Sequence, residues 1–196
     1  KECVELANVA AGLEVEKFGA TPIPMSQIHK ELLSMQADSN GKIRSSEDLA
    51  IEIAAAKEIG QRVVLTNGCF DVIHAGHVSY LREAAKLGDI LIVGVNSDEQ
   101  VALQKGEGRP IYTADERMDI LAELQCVSYI VQFEEPTASE LIKSVRPDLY
   151  VKGGDYVPEE INEYSLLKEL GIEIQLLSER PGRSSTDVVS QLKETR

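Results

Sequence analysis

The sequence predicts an α/β fold: a parallel β-sheet with helices packed on both of its faces. Three observations carry this. Apolar runs of strand length recur at 62–66, 90–95 (ILIVGV), 127–133, 148–151 and 172–177 (IEIQLL). Helical patterns fill the intervals and follow the last run, at 76–87, 97–103, 113–124, 137–145, 158–170 and 184–193. The runs read as buried strands, and their alternation with helices is that of a parallel sheet.

The ends of these elements are signalled locally. Thr113-x-x-Glu116 reads as a capping box, in which side chain and backbone satisfy each other at a helix start. Gly88 and Gly171 fall where helices stop and are expected to adopt the left-handed conformation there.

The first 58 residues read differently. Residues 3–18 place Val4, Ala7, Leu13 and Phe18 on one helical face, broadened by Val9, Ala10 and Val15, with Gly19 as a stop. A second helix is expected from Ser26 to about Met35, a polar linker over Ala37–Lys42, and a third helix from Ser46 to near Gly60. No strand is expected before residue 59. This divides the chain into a helical appendage, 1–58, and a main domain, 59–196. The appendage is too small to bury a core alone, so it must pack on something.

Composition narrows the function. A chain of 196 residues with 43% hydrophobic and 27% charged residues is that of a globular protein. A net charge of −13 disfavours nucleic acid and acidic membrane surfaces as partners. Three dispersed cysteines without a C-x-x-C spacing suit a reducing cytoplasm and argue against a zinc site. The chain begins at Lys1 without a signal peptide, which suggests a fragment of something longer.

The stretch Val63–Tyr80, VVLTNGCFDVIHAGHVSY, concentrates the chemistry. A strand runs into a glycine-containing loop, and His74-Ala-Gly76-His77 then opens a helix. Backbone N–H groups at a helix start attract anions, and two imidazoles beside a glycine suit a polyphosphate. The helix dipole disfavours the imidazolium in the empty site, so neutral donors are expected. A capping histidine with a chance neighbour is the alternative. Other strand ends add Asn96, Asp98, Lys105, Arg109 and Arg117, then Lys152-Gly153-Gly154-Asp155, then Arg183-Ser184-Ser185-Thr186. Ligands in such sheets bind at this C-terminal edge.

Arg117 is a cation in the first turn of a helix, where the dipole opposes it. Its placement calls for a reason: phosphate binding, or a partner in Asp115 or Glu116. Paired glycines at 153–154 would let a flat base lie against backbone, with Asp155 accepting from a ribose hydroxyl or an amine; a plain turn is the alternative. One of Ser184, Ser185 and Thr186 reads as an N-cap, and with Arg183 their hydroxyls and N–H groups would suit β- and γ-phosphates. Asp71 would either reach Mg²⁺ through water or fix its loop. Cys69 lacks an acid–base partner and is given no catalytic role.

TNGCFDVIHAGH, with VNSD at 95–98, GRP at 108–110, ER at 116–117, KGGDY at 152–156 and SST at 184–186, resembles the cytidylyltransferase-like nucleotidyltransferases. Within them it is most similar to the adenylyltransferase domains of bifunctional heptose-phosphate kinase/adenylyltransferases, over about 60–195. ELANVAAGLEVEKFGATPI resembles the last helix and tail of a ribokinase-like sugar kinase, although the Gly-Ala-Gly-Asp motif of such kinases is absent.

The resemblance implies a Rossmann-like sheet of five parallel strands ordered 3-2-1-4-5. It also implies in-line attack of a sugar phosphate on the α-phosphorus of ATP, with no protein nucleophile. His74, His77, Lys105 and Arg117 would be catalytic, Lys105 swinging on a long flexible segment; a solvated loop lysine is its alternative. Thr66, Asn67, Gly68, Cys69, Phe70, Gly76, Lys152, Gly153, Gly154, Asp155, Arg183, Ser184, Ser185 and Thr186 would bind nucleotide. Asp71, Asn96, Asp98 and Arg109 would meet the second substrate. Mg²⁺ would be held mainly by the phosphates. The expected substrates are ATP and D-glycero-β-D-manno-heptose 1-phosphate, in a homo-oligomer with a linked kinase domain. The rivals are a cytidylyltransferase acting on glycerol 3-phosphate, and a non-catalytic nucleotide-binding module.

Overall fold

The computed structural model describes residues 2–15, 22–25, 28, 41–154 and 157–177. Its strands are β1 (Val63–Gly68), β2 (Ile90–Asn96), β3 (Tyr129–Phe133), β4 (Leu149–Gly153) and β5 (Glu173–Leu177). All pair in parallel, in the order β3-β2-β1-β4-β5. The helices are α1 (Glu2–Val15), α2 (Ser46–Glu58), α3 (Ala75–Ala85), α4 (Asp98–Lys105), α5 (Ala114–Ala122), α6 (Ser139–Val145) and α7 (Tyr164–Glu169).

The middle of the sheet is apolar on both faces because alternate residues enter two separate cores, while the edge strand β5 (EIQLL) leaves Glu173 and Gln175 exposed. Val63, Leu65, Ile90, Ile92, Val131, Phe133 and Tyr150 face one core, closed by α2, α6 and α7. Val64, Leu91, Val93, Val95, Ile130, Leu149 and Val151 face the other, closed by α3 and α5. From β1 the chain winds outward to β3, then returns across to β4 on the other side of β1. That return makes the carboxyl ends of β1 and β4 the switch point of the sheet.

Two local expectations change and one holds. The helix expected over 158–170 is interrupted: a 3₁₀ turn at Pro158–Glu160 gives way to extended backbone at Ile161, whose side chain is buried, before α7 begins. Gly171 is left-handed at φ +67°, as expected of a helix stop. Gly88 is not among the left-handed glycines. It is needed for space instead: a Cβ there would lie 2.7 Å from the Arg62 carbonyl oxygen and 2.7 Å from Val64 Cγ2.

The largest difference concerns the first 58 residues. Residues 42–44 pair with β3, Ile43 bridging Ile130 in parallel, with Arg44 N–H donating to Ile130 O and Ile130 N–H to Lys42 O, each at 2.9 Å. Lys42 Nζ donates to the carbonyls of Ala122 and Leu124 at the end of α5. Helix α2, capped by Ser45, inserts Leu49, Ile53 and Ala56 into the first core. A buried ion pair, Arg44 with Glu52, sits beside the Tyr129 ring. A division at residue 58 therefore cuts through the core, and we place the edge of the main domain before residue 41. In α1, Val9 is buried while Ala7 and Val15 are exposed, so its inward seam lies on Val9 rather than Ala7. The helices expected over 26–35 and 184–193 lie outside the described residues. Among the described residues, no helix is long and apolar enough to cross a membrane.

A chain beginning at residue 41 is expected to keep a cooperative thermal unfolding transition by circular dichroism. One beginning at residue 59, which lacks Leu49, Ile53 and Ala56, is expected to lose it. Within the full chain, Leu49→Ala should cost about 2–5 kcal/mol in urea unfolding, the range for truncating a fully buried leucine.

Candidate active site

At the C-terminal edge of β1 the chain leaves the sheet through Asn67 and Gly68 and turns sharply at Phe70, a non-glycine residue at φ +48°. Phe70 is buried, and its ring lies 5.5 Å, centroid to centroid, from the His77 ring. The His74 and His77 rings are 4.0 Å apart.

The two histidines form their own capping box at the start of α3. Gly76 N–H donates to His74 Nδ1 at 3.1 Å, and His74 N–H donates to His77 Nδ1 at 3.4 Å. An Nδ1 that accepts an amide proton carries none itself, so each neutral ring has its proton on Nε2. Burial lowers the His77 pKa from 6.5 to about 4, helped by His74 and Lys105. The expectation of neutral donors thus has a geometric basis. Gly76 contributes an N–H already engaged by His74, rather than one awaiting a ligand.

Lys105 is exposed at the last position of α4, not within a flexible segment; the turn begins after it, at left-handed Gly106 and Gly108. The helix C-terminus favours a cation there, and its charge acts on both His77 and Cys69. Cys69 Sγ lies 3.5 Å from Gln104 Oε1. Burial raises the Cys69 thiol pKa, against the opposing pull of Lys105 and Arg117, which keeps it protonated and unsuited to attack.

On the other side of the switch point, Lys152 Nζ donates to Asn67 Oδ1 at 3.1 Å. Burial lowers the Lys152 pKa, opposed by the charge of Glu163. Gly153 is spaced against Tyr80 of α3: a Cβ would lie 3.1 Å from the tyrosine Cε2. That ring is one reason for a small residue at this position. Gly154 is left-handed at φ +125°, and its N–H donates to Leu177 O at 3.1 Å.

Several expected ligand contacts instead form an internal frame. Arg117 has no exposed surface. Its guanidinium donates to Tyr112 O at 3.1 Å, Cys69 O at 2.5 Å, Asn96 O at 2.9 Å and Asp98 Oδ1 at 2.7 Å. It therefore ties three loops together beneath the edge, and its partner is Asp98 rather than Asp115 or Glu116, the latter being used in the Thr113 capping box. The catalytic reading of Arg117 gives way for this reason. Asp71 fixes its loop: one oxygen accepts from Ile111 N–H at 2.6 Å and the other pairs with Arg109. With both oxygens engaged, Asp71 is not placed to serve Mg²⁺. Thr66 is fully buried, and its hydroxyl is spent on Tyr80 at 2.6 Å. Asn96 is buried and offers its carbonyl to Arg117.

Asp155, Arg183, Ser184, Ser185 and Thr186 lie outside the described residues. Among the described residues, no three His, Cys, Asp or Glu side chains gather to hold a metal. A cavity of about 460 Å³ lies elsewhere, lined by Ser46, Glu134, Glu135 and Glu140 among others. Its carboxylates would repel a polyphosphate.

Sequence reasoning missed Tyr80, Tyr150 and Glu163. Tyr80 was within reach, standing one helical turn after His77. Glu163 was not, because nothing in Glu159-Glu-Ile-Asn-Glu163 marks one acid as buried.

A paired-histidine helix start at the switch point of such a sheet is the architecture of a nucleotidyltransferase. The chain belongs to the cytidylyltransferase-like family, whose model matches residues 65–191. It is 42% identical to the bifunctional protein HldE of Pelobacter propionicus and 45% identical to that of Aeromonas hydrophila, each over 193 residues. The chain is covered to 98% in both cases and spans about 40% of the length of these curated relatives. Among solved structures it is similar to a lipopolysaccharide core biosynthesis protein from Thermoplasma volcanium, at 28% identity and a TM-score of 0.51. That likeness covers 63% of this chain and 100% of the other.

The His77 ring should titrate near pH 4 in the ligand-free protein, read from its NMR chemical shifts. The sign follows from linkage. Between about 6.5 and about 4 the unfolded chain takes up a proton that the folded site refuses, so this contribution to stability is lost on acidification. Arg117→Met should lower stability by about 3–5 kcal/mol in urea unfolding, since it leaves Asp98 and three carbonyls without their donor. A residue that only bound ligand would leave stability unchanged.

Proposed function

We propose that this domain transfers AMP from ATP to D-glycero-β-D-manno-heptose 1-phosphate, giving ADP-heptose and pyrophosphate. The observation that carries this reading is the capping box of His74 and His77, which holds two neutral imidazoles with Nε2 as the donor at a helix start beside two lysines. A sugar-phosphate oxygen attacks the α-phosphorus as the bond to the β-phosphate oxygen breaks and pyrophosphate leaves. No protein nucleophile takes part, so catalysis is positioning plus stabilisation of charge on the phosphoryl oxygens. His77 and His74 donate to the phosphates; Lys105 and Lys152 supply positive charge from either side of the switch point.

Mg²⁺ would be held mainly by the nucleotide phosphates and would supply positive charge to them; among the described residues no cluster of three His, Cys, Asp or Glu side chains gathers to cage it. The heptose assignment draws on the bifunctional relatives and on the sugar-kinase-like stretch from Glu5 to Ile23. A linked kinase supplying the sugar 1-phosphate, and a homo-oligomeric state, complete the proposal.

Pyrophosphate release should be seen with ATP and heptose 1-phosphate. Turnover with CTP and glycerol 3-phosphate in its place would move the protein to the other branch of its family, and no turnover with any pair would favour a binding module. His77→Ala should reduce kcat by about 10²-fold or more, the scale of losing one preorganised donor to a developing negative charge. Its melting temperature should change little by comparison.

A further inference from the structure

The ladder between β1 and β4 is shorter than either strand. It holds two rungs, Val64 with Leu149 and Leu65 with Tyr150, whereas β1 pairs with β2 over six residues and β4 with β5 over five. Continued in register, the next rungs would be Thr66 with Val151, Asn67 with Lys152 and Gly68 with Gly153. Side chains join the strands at these levels instead.

On the face covered by α3, the Tyr80 hydroxyl donates to Val151 O at 3.1 Å and lies 2.6 Å from Thr66 Oγ1. A carbonyl only accepts, so the tyrosine's single proton goes to Val151 and the Thr66 hydroxyl donates to the tyrosine oxygen. The Tyr80 ring lies against Gly153, where a Cβ would fall 3.1 Å from its Cε2. On the opposite face, Asn67 Oδ1 accepts from Lys152 Nζ at 3.1 Å and from the Tyr150 hydroxyl. Beyond the last backbone rung the two strands are therefore tied from both faces.

The tie made by Tyr80 is the one that also reaches the histidines. Tyr80 follows His77 by three residues on α3, one helical turn along the same side. A single side chain thus seats the helix that carries the histidine pair on β1, which bears Asn67, and on β4, which bears Lys152. Thr66 is fully buried, so its hydroxyl has no water to turn to if the tyrosine oxygen is removed. Tyr80 has no place in the reaction described above.

We propose that Tyr80 is a positioning residue for the cleft: its hydroxyl, shared between Thr66 and Val151, sets the spacing of β1 and β4 so that the α3 histidines and Lys152 address one ligand. This rests on the reading of that edge as a nucleotide polyphosphate site.

Tyr80→Phe keeps the ring against Gly153 and removes the hydroxyl. Two readings follow it in the full chain: the affinity for ATP by calorimetry, and the NMR signals of the Asn67 side-chain amide. Asn67 lies on the opposite face of the sheet, so its signals report the strands rather than the lost hydroxyl. ATP should bind about 3- to 10-fold more weakly, the scale of one net hydrogen bond, and the Asn67 signals should move. Ile53→Val, in a helix packed on α6 and β3, supplies a comparable loss of stability and should change neither reading. A folded Tyr80→Phe whose Asn67 signals stay in place, or whose affinity falls no further than that of Ile53→Val, overturns the proposal. If Tyr80→Phe does not fold, Thr66→Val, which removes the other hydroxyl, decides by the same two readings. If the unmodified chain binds no ATP, the functional reading fails, while the Asn67 signals still decide whether Tyr80 sets the strands.

Discussion

The guanidinium of Arg117 is the knot from which the working edge is hung. Five N–H donors in a rigid plane suit it to bind several carbonyls at once, which a lysine's point charge does not do as well. Here they reach the loops after β1 and β2 and the loop before α5. The charge, fully out of water, is balanced by Asp98 at the start of α4. Without that junction the turn carrying Cys69 and Phe70 would lose its tie to the β2 edge, and Phe70 is the residue against which His77 rests. A second tie, Asp71 to Arg109 and Ile111, holds the same loops from the far side. Ion pairs of this kind bring little net stability over apolar packing, but breaking one is costly. Their effect here is to assign three loops one relative position.

On that frame the site solves an electrostatic problem. The protein as a whole carries −13, yet the proposed ligand is a polyanion. The answer is local: the N-terminus of α3, Lys105 at the C-terminus of α4, and Lys152 at the end of β4. The acidic residues that surround the cavity near Glu134 and Glu140 stand apart from it. Keeping His77 neutral costs little, since burial and the neighbouring His74 ring already disfavour its imidazolium.

The fold was legible because the strands are short, mostly apolar and separated by recognisable helix signals. Ile90–Asn96 and Leu149–Gly153 stand out against any neighbouring window. Thr113 and Glu116 formed the capping box their spacing implied. Misreadings came where one residue type serves two purposes. Gly88 looked like a left-handed stop and is a space requirement, its Cβ position being filled by the Arg62 carbonyl and Val64. Arg117 read as a phosphate ligand or a partner of Asp115 or Glu116, and its burial is a property of the assembled loops.

By itself the sequence determined the elements, their parallel arrangement and the histidine pair at a helix start. These depend on periodicity, capping and turn chemistry, all of which act within a few residues along the chain. Only the tertiary structure decided that α2 belongs to the core, that Arg117 and Asp71 are framework, and that Lys152 meets Asn67 across the switch point. Those outcomes depend on which groups are excluded from water and which charges then face each other across 19 residues for Arg117 and Asp98 or 85 for Asn67 and Lys152. No local pattern encodes such a meeting; it exists once the sheet has brought the loops to a common edge.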